Sequence, residues 1–255
     1  MLDLATFDLA ALLPFILIGF AAQLVNGALG MEVGVICNTL LVAVMGVPPA
    51  TASARIHVVE VFTTAVSGIS HLFHRNIEWG LFFRLLIPGL IGGVSGAYLL
   101  TSIDGAIVKP IVLAYLVAVG VWLLIRGLLY PPKIRKPTVI APLGLVGGFL
   151  DAAGGGGWGP VVTSNLLVQG AEPRKVIGTV NSVEFFLTLA VSATFIWHLG
   201  LDDVAGATLG LLIGGVCAAP IGAFMAKRIA PKLMLVLVGI VLTATSCFGL
   251  YRALM

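Results

Sequence analysis

Glu32, Arg55, Glu60, Asp151 and Glu184 are the residues most able to do chemistry, because all of them fall in or beside long apolar stretches. With them stand the polar residues Gln23, Asn26, Asn38, His57, Asn165 and Asn181. A charge near the centre of a bilayer costs about 2.5–3.5 kcal/mol, so such side chains face water or a partner. Glu60 and Glu184 each lie about nine residues into their stretch, about 13 Å deep if helical. Three residues earlier, on the same helical face, stand His57 and Asn181. Two readings follow. Each glutamate is a structural group bonded to its helical neighbour, or the two polar clusters face one another across a central cavity; the pairing favours the cavity.

Two glycine turns point to the ligand such a cavity would take. Asn26-Gly27-Ala28-Leu29-Gly30-Met31 precedes one short apolar segment, and Gly154-Gly155-Gly156-Gly157-Trp158-Gly159-Pro160 precedes another. Consecutive glycines make a poor continuous helix but let a backbone approach a ligand closely. Proline is tolerated in a first helical turn, and the start of a helix offers free N–H groups and partial positive charge to an anion. Tight helix packing also selects small residues, although a run of four exceeds that need. The expected anion site comprises Asn26, Gly27, Met31, Arg55, His57, Gly155, Gly156, Gly157, Trp158 and Asn181. Glu32 and Asp151, which flank the turns, suit capping of loose N–H groups. Proton coupling by one of Glu32, Glu60, Asp151 or Glu184 stays open beside that role. Arg55 either snorkels outward or neutralises an anion at the entrance. Trp79 and Trp197 look like interfacial belt residues, whereas Trp158 interrupts a glycine turn.

The elements that position these groups follow from composition. Of the 255 residues, 59% are hydrophobic and 10% charged, with a mean hydropathy of +1.12. A soluble domain is about 25% charged, so a water-soluble single domain is excluded and lipid is the expected solvent. Apolar runs lie at 9–29, 32–46, 51–73, 80–101 and 107–129, then at 138–153, 158–169, 175–198, 204–226 and 232–251. Most can cross a roughly 30 Å hydrocarbon layer, but 32–46 and 158–169 would span only about 18–23 Å. Both short runs come second in their half of the chain. Gly46, Pro49, Glu60, Phe62 and His74 recur at a constant spacing as Gly170, Pro173, Glu184, Phe186 and His198. This predicts an N-terminal repeat at 1–129, a basic linker at 130–137 and a C-terminal repeat at 138–255.

Each repeat contains five crossings, or three if its first two segments form a re-entrant hairpin. Both numbers are odd, so the repeats are inverted, as in many secondary transporters. The expected fold is an all-α polytopic membrane protein with two inverted repeats, each a short broken or re-entrant helix pair plus three spanning helices. Arg75, Arg84, Arg126, Lys133, Arg135, Lys136, Arg174, Lys175, Lys227, Arg228 and Lys232 gather on one face, leaving Arg55, Lys109 and Arg252 for the other. The positive-inside rule then places the linker in the cytoplasm and both termini outside it.

Other classes find little support. A net charge of +3 with no basic run on a polar face argues against nucleic acid. Cys37, Cys217 and Cys247 form no C-x-x-C pair and suit apolar packing. The acidic start, with Asp3 and Asp8, is unlike a secretory leader. His57, His71, His74 and His198 form no H-E-x-x-H helix, so neither a metal, a cofactor nor an intramembrane enzyme is expected, even with Ser53 and Ser182 in view. A cation transporter using the Glu and His residues is the serious rival, and a passive channel is a third reading. The small-residue faces permit a homodimer.

The run from Gly147 to Pro160, Gly-Gly-Phe-Leu-Asp-Ala-Ala-Gly-Gly-Gly-Gly-Trp-Gly-Pro, resembles the motif of the sulfite exporter TauE/SafE family. So do Val176-Ile-Gly-Thr-Val-Asn-Ser-Val-Glu-Phe-Phe186 and Pro49-Ala-Thr-Ala-Ser-Ala-Arg-Ile-His-Val-Val-Glu-Val-Phe-Thr-Thr64. The first half departs from the glycine-rich form, carrying Asn26-Gly27-Ala28-Leu29-Gly30. The resemblance implies a multi-pass permease of the bacterial cytoplasmic membrane for small sulfur-containing anions such as sulfite or organosulfonates. It further implies export, with coupling to the proton gradient.

Overall fold

The computed structural model describes residues 9–29, 33–129, 137–163, 165–166, 169, 171, 173–201, 208–218 and 231–255. All regular structure among them is helical. The order is α1 (Leu9–Leu29), α2 (Val33–Thr39), α3 (Pro49–Phe73), α4 (Trp79–Ser102), α5 (Gly105–Leu128), α6 (Ala141–Gly154), α7 (Pro173–Leu199), α8 (Thr208–Ala218) and α9 (Pro231–Leu254). Among the described residues four helices are long and apolar enough to cross a membrane: Pro49–Phe73, Trp79–Ser102, Gly105–Leu128 and Lys175–Leu199.

Both short segments wind loosely. α2 continues into a π-helical turn at Leu40–Val44, where Met45 N–H reaches back to the Leu40 carbonyl at 3.1 Å. A second π-helical stretch covers Trp158–Thr163. Such turns are rare and concentrate at functional sites. Helix starts follow local chemistry: Pro49 and Pro173 open α3 and α7, where the missing N–H costs nothing. At the start of α5 the Asp104 carboxylate accepts from Ala106 N–H at 2.9 Å.

The packing is that of a protein dissolved in lipid. Large apolar side chains such as Phe62, Val66, Phe83, Ile87, Ile91 and Ile111 point outward, while Asn38, Ser53, His57, Glu60, Asp151 and Glu184 are buried. Helices meet backbone to backbone through small residues, as expected where lipid provides no hydrophobic drive. α4 lies on α6, where a Cβ on Gly148 would stand 3.1 Å from Gly89 C and Gly93 N. α1 lies on α8, where a Cβ on Gly214 would stand 2.7 Å from Phe20 N. α5 packs on α9 through Gly120 and Gly239, and α3 runs against α7. The α3–α4 connection is tied to α7: Glu78 N–H donates to Thr179 Oγ1 at 2.8 Å, and Lys175 Nζ donates to the Arg75 carbonyl at 2.8 Å.

Candidate functional site

The break between α6 and the second π-helical stretch is the centre of the molecule's polar network. α6 ends at Gly154, and Gly155 turns into the left-handed region with φ of 65°, followed by Gly156 with φ of 139°. Only glycine adopts this pair without strain. The turn is held by Asp151: its backbone carbonyl accepts from the N–H groups of Gly155 and Gly156, the latter at 2.9 Å. Its Oδ1 accepts from Gly157 N–H at 2.8 Å and Trp158 N–H at 3.2 Å. All four N–H groups from Gly155 to Trp158 are thus engaged by one aspartate.

Other helices converge on the same turn. Asn38 of α2 donates its Nδ2 to the Gly154 carbonyl, and Tyr115 of α5 donates its hydroxyl to the Gly156 carbonyl at 3.0 Å. From α3, His57 places Nε2 3.2 Å from Asp151 Oδ2, and Ser53 donates its hydroxyl to the Ala152 carbonyl at 2.7 Å. His57 and Asp151 are 0% and 1% exposed, so this contact is dry. The first residues of α2 close the other side: a Cβ on Gly156 would lie 2.7 Å from Gly34 C and 2.8 Å from Val35 Cγ2. The start of one short helix therefore abuts the glycine turn that begins the other.

Glu60 stands at this meeting point. Its carboxylate accepts from Gly34 N–H near the start of α2. Its Oε1 has no hydrogen-bond partner, nor does Asn38 Oδ1, and both atoms are buried. A Cβ on Gly34 would find Glu60 Oε1 at 2.9 Å and the Gly155 carbonyl at 3.2 Å, so acceptor oxygens crowd one spot. Glu184 of α7 is 5% exposed and lies within electrostatic reach of both Glu60 and Asp151. The described intramembrane carboxylates, Glu60, Asp151 and Glu184, gather in the interior, away from the lipid-facing surface.

The remaining expected residues divide. Trp158 is wholly buried, donates Nε1 to the Val180 carbonyl at 3.3 Å, and wedges its ring against Gly89 of α4. It is a packing anchor behind the turn. Asn181 is half-buried and donates to the Ile177 carbonyl of its own helix at 2.9 Å. Arg55 is half-buried, with its guanidinium 5.7 Å from the Phe15 ring of α1. Asn26 and Gly27 belong to the C-terminal part of α1; the Asn26 side chain, Met31 and Glu32 lie outside the described residues. Tyr115 is the site residue that sequence reasoning missed. The available signal was a tyrosine midway along an apolar helix rather than at its interfacial end.

The family model for the sulfite exporter TauE/SafE matches residues 15–248. The chain is 44% identical over 237 residues to the "Probable membrane transporter protein YtnM" of Bacillus subtilis (strain 168), covering 89% of this chain and 79% of that one. It is 24% identical over 218 residues to a "Probable membrane transporter protein" of Haemophilus influenzae (strain ATCC 51907 / DSM 11121 / KW20 / Rd), covering 81% and 84% respectively. No solved structure matches the chain. Broken helices meeting at a buried polar centre, together with these similarities, show a multi-pass membrane transporter and not an enzyme; the chain belongs to the sulfite exporter TauE/SafE family.

Proposed function

We propose that the chain is a secondary transporter of small sulfur-containing anions, sulfite or organosulfonates, exporting them across a bacterial cytoplasmic membrane by alternating access. The observation that carries the anion reading is the set of donors engaged by Asp151. The Gly157 and Trp158 N–H groups already bind a carboxylate oxygen, and the oxygens of a sulfite or sulfonate group make the same demand on a donor. A substrate anion competes with Asp151 for these groups, and α2 must withdraw from the turn to admit it. The repeats proposed at 1–129 and 138–255 account for the packing: α1 on α8 and α4 on α6 are then one contact formed twice, with the halves exchanged. The basic 130–137 linker lies in the cytoplasm and both termini lie outside. Glu60 and Glu184 fix α3 and α7, the helices that rock or gate around the substrate.

The rival reading, a cation transporter, draws on one observation: Glu60 Oε1 and Asn38 Oδ1 are buried acceptors without donors. Thermal-shift measurements on the purified protein separate the two, since a ligand that binds only the folded state raises its melting temperature. Sulfite, thiosulfate or a sulfonate is expected to raise it and alkali cations are not; a rise with cations alone contradicts the anion reading. In proteoliposomes, Glu60→Ala and Glu184→Ala are expected to abolish flux while the protein still inserts. Wild-type rates in either variant would refute their role.

A further inference from the structure

The hydrogen-bond stereochemistry at His57 fixes where a proton must be. His57 Nδ1 lies 2.8 Å from the Ser53 carbonyl oxygen, which can only accept, so Nδ1 carries a hydrogen. The Ser53 hydroxyl, 3.3 Å from the same nitrogen, spends its own hydrogen on the Ala152 carbonyl. On the far side of the ring, Nε2 faces Asp151 Oδ2 at 3.2 Å. With Nδ1 protonated, a neutral ring presents only a lone pair from Nε2, and a carboxylate offers only lone pairs. The contact therefore requires one further proton, carried by Nε2 or by Oδ2. In either arrangement the pair is neutral overall.

We propose that the His57–Asp151 contact carries one exchangeable proton and serves as the latch between α3 and α6, making it the proton-coupling site of the transport cycle. This rests on the transport reading above. Both side chains are at most 1% exposed, so removing the proton leaves two lone pairs opposed in a dry interior, and the contact opens. Asp151 Oδ1 stays on the Gly157 and Trp158 N–H groups, which lie on its own side of the seam. Proton loss and separation of α3 from α6 are one event. The proton passes to water on the side that opens, and no other covalent bond is made or broken.

The groups facing the pair shape this response. Glu60 on α3 lies within electrostatic reach of both partners, and Glu184 on α7 within reach of Asp151. Phe195 of α7 covers the imidazole at a centroid distance of 6.0 Å. α2 brings Cys37, near Glu60, and Asn38, while α5 brings the Tyr115 hydroxyl to the Gly156 carbonyl. α4 approaches α6 with Gly89, Gly92 and Gly96.

Two measurements on the intact protein test the latch. In proteoliposomes containing a pH-sensitive dye, a sulfoacetate gradient is expected to move protons through the wild type. Asp151→Asn should lose the proton movement, with any residual anion flux insensitive to pH. His71→Gln, at the far end of α3, should keep the wild-type proton-to-anion ratio. Anion flux without protons in the wild type, or an unchanged ratio in Asp151→Asn, overturns the proposal while the transport reading stands. Absence of all sulfur-anion flux in the wild type instead overturns both that reading and the coupling role. The proton's position is read separately by nitrogen NMR of histidine-labelled protein, with His57 assigned by its loss in His57→Gln. A hydrogen on Nδ1 throughout the neutral pH range and an Nε2 shift that moves in Asp151→Asn are expected. A bare Nδ1, or an Nε2 shift left unmoved by Asp151→Asn, overturns the assignment whatever the substrate.

Discussion

At the scale of single residues, Asp151 joins backbone, side chain and neighbouring helix through three acceptor atoms. Its carbonyl and Oδ1 hold the N–H groups of the turn, and Oδ2 meets His57. The turn admits no side chain where it does this. At Gly156 the backbone has φ of 139°, and a Cβ would press on Gly34 and Val35. Such a backbone costs a residue other than glycine about 1–3 kcal/mol, before any displacement of α2. Gly156→Ala should therefore lower the melting temperature in detergent clearly. Gly80→Ala, in the first turn of α4 with nothing within 4 Å, should leave it level or slightly raised. Equal melting temperatures for the two variants would show that the turn does not bear on the fold. An acid beside a glycine run is legible in sequence as a partner for loose N–H groups. That its second oxygen meets an imidazole on another helix is not, because 94 residues separate the two.

At the scale of elements, the long helices follow the apolar runs closely. The stretch at 9–29 is α1, and those at 51–73, 80–101 and 107–129 differ from α3, α4 and α5 by one or two residues at their ends. Burial of backbone polar groups in lipid forces a hydrophobic run to become a helix, so hydropathy alone carries that signal. The short segments were legible as short, and their π-helical turns were not. A π turn widens the helix and survives only where neighbours fill the space, here α5 and α9 beside Leu40–Val44. Tyr115 escaped for a related reason: its partner is a backbone carbonyl, which leaves no mark in the sequence. Close approach of α4 and α6 makes a prediction at this scale. Gly148 faces the backbone of Gly89 and Gly93, so Gly148→Leu must drive the helices apart. The expected result is loss of the monodisperse peak in size-exclusion chromatography. A wild-type profile would mean that α4 and α6 are not in contact.

At the scale of the whole molecule, large apolar side chains face outward, and the buried ionisable ones among the described residues, His57, Glu60, Asp151 and Glu184, converge on a centre where several helices meet. Membrane proteins keep intramembrane charges for pathways and coupling, and among the described residues Glu60 lies near the start of α2 and Asp151 at the glycine turn. The account requires this closed centre to part, with α3 moving away from α6, whenever an anion passes. Solvent access to that seam tests the requirement. Ser53 is wholly buried, with its hydroxyl on the Ala152 carbonyl across the seam, so a thiol at this position is sealed while α3 lies on α6. The test places Ser53→Cys in a protein whose Cys37, Cys217 and Cys247 are replaced by alanine, in proteoliposomes, with labelled sulfoacetate as the anion and a small thiol-alkylating reagent as the probe. Slow alkylation at rest and much faster alkylation while sulfoacetate moves are expected; alkylation that stays slow during undiminished flux would contradict the opening of the seam.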